Sequence, residues 1–219
     1  MNFFEKKPRL LRLLGCTLFA FSWIGFLGTC GLTSNLCMNS VLARSSNQTN
    51  RAPSGWFMAG SKPENYQTGI DEAVTLGGRP SAYLASAVPE TGGFGTLMQS
   101  INASNYGGKR VRLTASIKSE SLNDWAGIWM RVDRDKTMVA FDNMQNRGIK
   151  GTQPWSDCAV VLDVPENATG ISFGVLLSGS GQVWVNHVTL DVVGKDIAVT
   201  APNPPKELPT SPVNLNFSE

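Results

Sequence analysis

Residues 125–133 read Trp-Ala-Gly-Ile-Trp-Met-Arg-Val-Asp, and as a β-strand they separate by chemistry. Side chains alternate between the two faces of a strand. Ala126, Ile128, Met130 and Val132 form one uniformly apolar face, suited to a core. Trp125, Gly127, Trp129, Arg131 and Asp133 form the other, which carries two indoles, a guanidinium and a carboxylate. Indole faces stack on the C–H faces of sugars, and Arg131 and Asp133 supply directional hydrogen bonds. Trp125 and Trp129 stand about 13 Å apart along the strand, a spacing that could flank a groove. The competing expectation is that a loop or a second apolar layer covers both indoles, because large aromatics are usually well buried.

A second polar constellation follows in Phe141-Asp142-Asn143-Met144-Gln145-Asn146-Arg147. It leaves a strand and enters a loop, where binding residues concentrate. Joined to the Trp face by a short hairpin around Asp135, it is the expected rim of the same site. The plainer alternative is an Asx-rich turn in which Asp142 and Asn143 bond their own backbone. The candidate ligand-binding set is therefore Trp125, Trp129, Arg131, Asp133, Asp142, Asn143, Gln145 and Arg147.

Other chemistry is poorly supplied. His187 is the one histidine of the chain, so no histidine-based metal set can be assembled. A Ser-His-Asp arrangement lacks any nucleophile signature, and His187 is expected to be an ordinary strand residue. Cys158 alternates with Val160 and Leu162 and reads as a buried thiol. Asp124, Asp133, Asp142 and Asp157 could gather as carboxylates for glycoside hydrolysis, but no spacing singles out two of them. Gly92-Gly93-Phe94-Gly95 lacks the Lys-Ser/Thr that completes a phosphate loop and reads as a turn. No catalytic residue, metal ligand or cofactor is assigned.

The elements that must position these residues begin after a leader. Lys6, Lys7, Arg9 and Arg12 precede an almost unbroken apolar run from Leu13 to Leu32, and Val41-Leu42-Ala43 offers a small residue for signal peptidase. Residues 1–43 are expected to be a signal peptide or, if uncleaved, an N-terminal membrane anchor. Either places the rest outside the cytoplasm, secreted or periplasmic in the first case and membrane-anchored in the second. Membrane contact is expected only through that segment. Its removal takes four of 19 cations and one of 17 anions, which leaves a net charge of about −1. The basic balance thus belongs to the leader, against a nucleic-acid partner. Cys158 is the one cysteine left, so a core rather than a disulfide must supply stability.

Residues 44–54 are polar and read as a flexible connector. From Gly55, short β-like runs separated by Gly, Pro and Asn predict an all-β sandwich. Strands are expected at Gly55–Ala59, Tyr66–Asp71, Ser81–Ala87, Gly95–Ile101, Arg110–Ser119, Asp124–Arg134, Met138–Asp142, Trp155–Val164, Thr169–Ser178 and Gln182–Val193. Single helical turns are expected at Asp71–Leu76 and Ser104–Tyr106. Gly77-Gly78 and Gly107-Gly108 mark turns, and Gly179-Ser180-Gly181 a tight hairpin. Beyond Lys195 the chain is Pro-rich and extended, with a possible closing strand over 213–217.

Several ordered strings carry a family resemblance. They are Gly55-Trp56-Phe57 with Ala59-Gly60-Ser61, Gly93-Phe94-Gly95-Thr96, Tyr106 with Gly108-Lys109-Arg110-Val111, the run Trp125 to Asp133, Phe141-Asp142-Asn143-Met144, and Gly181-Gln182-Val183-Trp184. On these the domain, residues 55–194, resembles a bacterial galactose-binding-domain-like jelly-roll module, of the kind that accompanies helix-turn-helix transcriptional regulators as a sensing or accessory part. A signal-like leader stands in place of the regulators' DNA-binding part, and no helix-turn-helix pattern occurs, so a DNA-binding role does not carry over. The resemblance implies a jelly-roll β-sandwich that takes a carbohydrate or other small polar ligand. The wider fold often holds a structural calcium, but no oxygen-ligand string here commits to one.

Together these readings predict an exported, non-enzymatic binding module for a carbohydrate or other polar small molecule. The first alternative is a structural or protein-interaction module of the cell envelope. A second is a glycoside-active enzyme with a carboxylate dyad.

Overall fold

The computed structural model describes residues 49–200, with Ser211 and Leu215. The leader over 1–43 and the strand expected over 213–217 lie outside the described residues, apart from Leu215, an exposed turn residue.

Nine antiparallel strands make up the domain: β1 (Phe57–Gly60), β2 (Tyr66–Leu76), β3 (Arg79–Ser86), β4 (Phe94–Asn102), β5 (Arg110–Arg134), β6 (Thr137–Asp142), β7 (Ile149–Asp163), β8 (Gly170–Ser178) and β9 (Gln182–Val193). The two strands expected at Arg110–Ser119 and Asp124–Arg134 are one 25-residue strand. Its first half lies between β7 and β9, its second half between β8 and β6. The sheet thereby curls into two layers, β2-β3-β9-β5-β7 and β1-β4-β8-β5-β6, that face each other as a β-sandwich.

One irregularity makes this crossing work. In the first half the inward residues are Val111, Leu113, Ala115 and Ile117, at odd positions. In the second they are Ala126, Ile128, Met130 and Val132, at even positions, and all eight belong to one core. A strict period of two cannot serve both sets. Ser121, at φ 53°, absorbs the extra residue, as a β-bulge does, and swaps the faces. Cys158, Val160 and Leu162 line up against Ala115, Leu113 and Val111, so the thiol is buried, and burial pushes its pKa up.

Three local expectations are corrected. Gly179-Ser180-Gly181 is no hairpin, because β8 and β9 pair with opposite halves of β5; it carries the chain from one layer to the other. Asp71–Leu76 continues β2 through a bulge instead of forming a helical turn, with Asp71 Oδ1 accepting from Ala73 N and Val74 N. Residues 104–108 form hydrogen-bonded turns, not a helix.

Two threonines close the free edges of the first layer in the same way. Thr49 N donates to Ile70 O while Ile70 N donates to Thr49 Oγ1, at 2.9 and 3.0 Å. Thr200 N donates to Val161 O while Val161 N donates to Thr200 Oγ1, at 3.0 and 2.8 Å. Each occupies donors and acceptors that would otherwise template another chain. Gly69 is required beneath the first of them, since a Cβ there would lie 1.6 Å from Thr49 O. Thr200 thus brings the chain after β9 to the edge of β7.

Candidate functional site

The predicted Trp face is the outer face of the second layer, as the alternation required. It is not an open groove. Trp129 is 8% exposed, and its Nε1 donates to Thr96 Oγ1 at 2.7 Å. Thr96 stands on β4, so the indole reaches across β8, the strand between them; Gly174 lies opposite Trp129 on β8, where a Cβ would come within 2.3 Å of Leu97 O. Thr96 Oγ1 in turn donates to Val175 O at 2.8 Å. Trp129 is thus a covered packing residue with its polar atom satisfied.

The predicted rim explains much of the cover. Asp142 Oδ1 accepts from Met144 N and Asn143 Oδ1 from Gln145 N, the paired Asx turns of the plainer reading. They turn Met144, at φ 61°, onto the sheet, where a Cβ on Gly127 would lie 3.1 Å from Met144 Cβ. Gly148 lies against the half-buried Trp125; a Cβ there would come within 2.9 Å of the ring. A glycine between two tryptophans on one face was the available sign of this close approach. Gln145 is exposed in a 3-10 turn.

Asp142 is 3% exposed and bridges to Arg147, with Nη2 to Oδ2 at 2.6 Å and Nη1 to Oδ1 at 3.1 Å. Burial alone would raise its pKa. Hydrogen bonds from Arg147, Thr200 and Met144 N and the guanidinium charge outweigh that and hold it below the usual carboxylate value. The pair anchors the loop. Because the folded pKa is depressed, its stabilisation is complete above the unfolded value of about 3.9 and is lost as pH falls through the lower folded value. Arg147→Ala is expected to cost about 2 kcal/mol at pH 7, since it takes the charged hydrogen bonds from a buried carboxylate while Arg147 itself is partly exposed. Its melting temperature should also fall less than that of the wild type on going from pH 7 to pH 3. Thermal melts at the two pH values test both; an equal acid-induced fall would contradict this role for Asp142.

Arg131 and Asp133 remain accessible. Arg131 Nε and Nη2 both donate to Asp133 Oδ1, at 2.8 and 2.6 Å. Arg131 Nη1 and Asp133 Oδ2 make no hydrogen bond to a described residue. Register places Ser172 and then Ser100 beside Arg131 on one side and Phe141 on the other. Gly170 and Asn102 continue the next row beside Asp133. The outward residues of β8 here are small, so by register Gly170 and Ser172 form a low strip of sheet face, the trough, between Ser100 and Asn102 on β4 and Arg131 and Asp133 on β5. Phe141, 37% exposed, borders it, an aromatic that the Trp reading overlooked.

The four aspartates weighed for hydrolysis do not gather. Asp124 accepts from Ser178, Asp133 from Arg131, Asp142 from Arg147 and Asp157 from Ser116. Asp133 and Asp157 face outward from opposite layers. Among the described residues no group of three or more His, Cys, Asp or Glu side chains is placed to hold a metal ion.

Sequence reasoning missed a cleft of about 470 Å³ between the layers, lined by Ile70, Ala82 and Val185 from one layer and Leu97, Gln99 and Phe173 from the other. His187 lies at its mouth, not as an ordinary strand residue but on a bulge, at φ 49°.

No family model matches the chain. Over 167 residues it is 46% identical to the uncharacterized HTH-type transcriptional regulator YbfP of Bacillus subtilis (strain 168); the match covers 75% of this chain and 57% of that protein. The chain thus spans little more than half the length of the curated relative it matches. Among solved structures, a Stig cyclase from Fischerella sp. TAU is similar, with a TM-score of 0.50 and 16% identity, covering 70% of this chain and 92% of that one. At that identity the likeness shows the fold, a β-sandwich. The CBM22-1 xylan-binding domain of Paenibacillus barcinonensis Xyn10C has a TM-score of 0.47 and 13% identity over 67% of this chain and 92% of that one.

Proposed function

We propose that the domain is a non-enzymatic binding module, positioned outside the cytoplasm by the leader, that takes a carbohydrate or similar polyhydroxylated ligand in the trough beside Arg131. The observation that carries this reading is the Arg131–Asp133 pair. Asp133 fixes the guanidinium plane while Arg131 Nη1 and Asp133 Oδ2 make no hydrogen bond to a described residue, which sets a donor and an acceptor side by side on the sheet face. Adjacent sugar hydroxyls each accept and donate, so they complement such a pair. Ser100 and Ser172, whose hydroxyls lie 2.8 Å apart, add further donors and acceptors, and Phe141 offers a ring face.

A glycan array followed by calorimetry on the hits tests the reading. Arg131→Ala should weaken binding at least about tenfold, the loss of one charged hydrogen bond, with little change in melting temperature. Unchanged affinity in that variant would remove the trough as the site.

A further inference from the structure

The inter-sheet cleft has the features of a second site, independent of the trough. Its walls are apolar, yet it holds polar groups that the fold does not use. Gln99 occupies an inward position of β4, in the alternation Gly95, Leu97, Gln99, Ile101 that otherwise serves the core. Its amide makes no hydrogen bond to a described residue, and neither do the Trp56 indole N–H and the His187 ring. A half-buried amide that faces the cleft without a partner among the described residues offers a ligand both a donor and an acceptor.

The surrounding structure is built, not loosely filled. Thr114 pairs with Thr189 and Ser116 with Asn186, so His187 and Val188 oppose the single residue Ala115. That bulge lies in the lining of the cleft, a placement common beside binding sites. Asn186 holds it, with Nδ2 donating to Arg79 O, Pro80 O and Ser81 Oγ at 3.0–3.2 Å. On the other side Trp56 meets Phe173 edge to face, with centroids 6.0 Å apart and planes at 88°, which gives the cleft a rigid aromatic wall. The volume of about 470 Å³ lies within the range of small-molecule sites.

We propose that this cleft binds a small, flat, largely apolar molecule bearing a hydrogen-bonding group, its body against Trp56 and Phe173 and its polar group on Gln99. A free sugar fits poorly, because the walls offer too few polar partners for its hydroxyls. A bicyclic phenol matches: the rings occupy the apolar walls, and the hydroxyl donates to Gln99 Oε1 or accepts from Gln99 Nε2.

The test is a titration of the full chain with 1-naphthol, followed by ¹H–¹⁵N spectra. Saturable shifts are expected in the Trp56 indole and Gln99 amide signals. Gln99→Leu should weaken binding about tenfold, the equivalent of one hydrogen bond. Val188→Phe, which fills the cleft, should abolish the shifts, and Ala82→Leu serves the same purpose if that variant fails to fold. Arg131→Ala should leave naphthol binding unchanged, so the two sites fail or succeed separately. Absence of saturable shifts, shifts spread evenly over the surface, or unaltered binding in the filled variant would overturn the proposal. So would contacts in the nuclear Overhauser spectrum between Trp56 and residues 201–219 without naphthol, since the chain's own tail would then occupy the cleft.

Discussion

Ile128→Lys is expected to abolish folding: the variant should be insoluble, or soluble without a cooperative thermal transition. Ile128 is 1% exposed, in the inner row that faces Val111, Leu113 and Ile117 across the sandwich. Truncating such a side chain alone costs about 2–5 kcal/mol. Burying an unpaired ammonium adds several kcal/mol more. Together these terms approach the whole stability of an ordinary domain, about 5–15 kcal/mol. Circular dichroism with a thermal scan decides the matter. A cooperatively folding Ile128→Lys protein would mean that the two faces of β5 are assigned the wrong way round.

Trp129→Ala is expected to destabilise the domain by about 3–5 kcal/mol, the usual cost of removing a buried indole. For a domain of this size that lowers the melting temperature by roughly 10 °C. The loss has two parts. The ring leaves a cavity above Gly174, and Thr96 Oγ1 loses its donor at a position only 3% exposed. Trp129→Phe should recover most of the packing but not the hydrogen bond, and so fall between the two. If Trp129→Ala melted within a degree or two of the wild type, the indole would be a surface group and the groove reading would return.

The two variants mark where sequence reading succeeds and where it stops. Alternation in a strand reports which side chains share a face, and for Ala126–Val132 that was enough to locate the core. It does not report what else lies over the opposite face. Trp129 and Arg131 stand two residues apart on one face, yet one is buried and the other accessible. Part of the difference arises from Thr96, 33 residues away in sequence, which takes the Trp129 indole N–H from across β8. Only Gly127, and Gly174 across the strand, hinted at that close approach. The single long strand β5 was hidden for a related reason. The change of parity at Ser121 looks like a break between two strands, whereas it is the bulge that carries one strand from layer to layer. The cleft was invisible because it depends on how far two layers separate.

The central claim is that a polyhydroxylated ligand is held in the trough by Arg131 and Asp133. The most direct measurement is a ¹H–¹⁵N titration of the protein with an oligosaccharide found by the array. Saturable shifts are expected at Ser100, Asn102, Ser172 and the Arg131 Nε–H, with no comparable shift at Trp56 or Gln99 and loss of the response in Arg131→Ala. Saturable shifts elsewhere, with the Arg131 Nε–H and Ser172 unmoved, would contradict it.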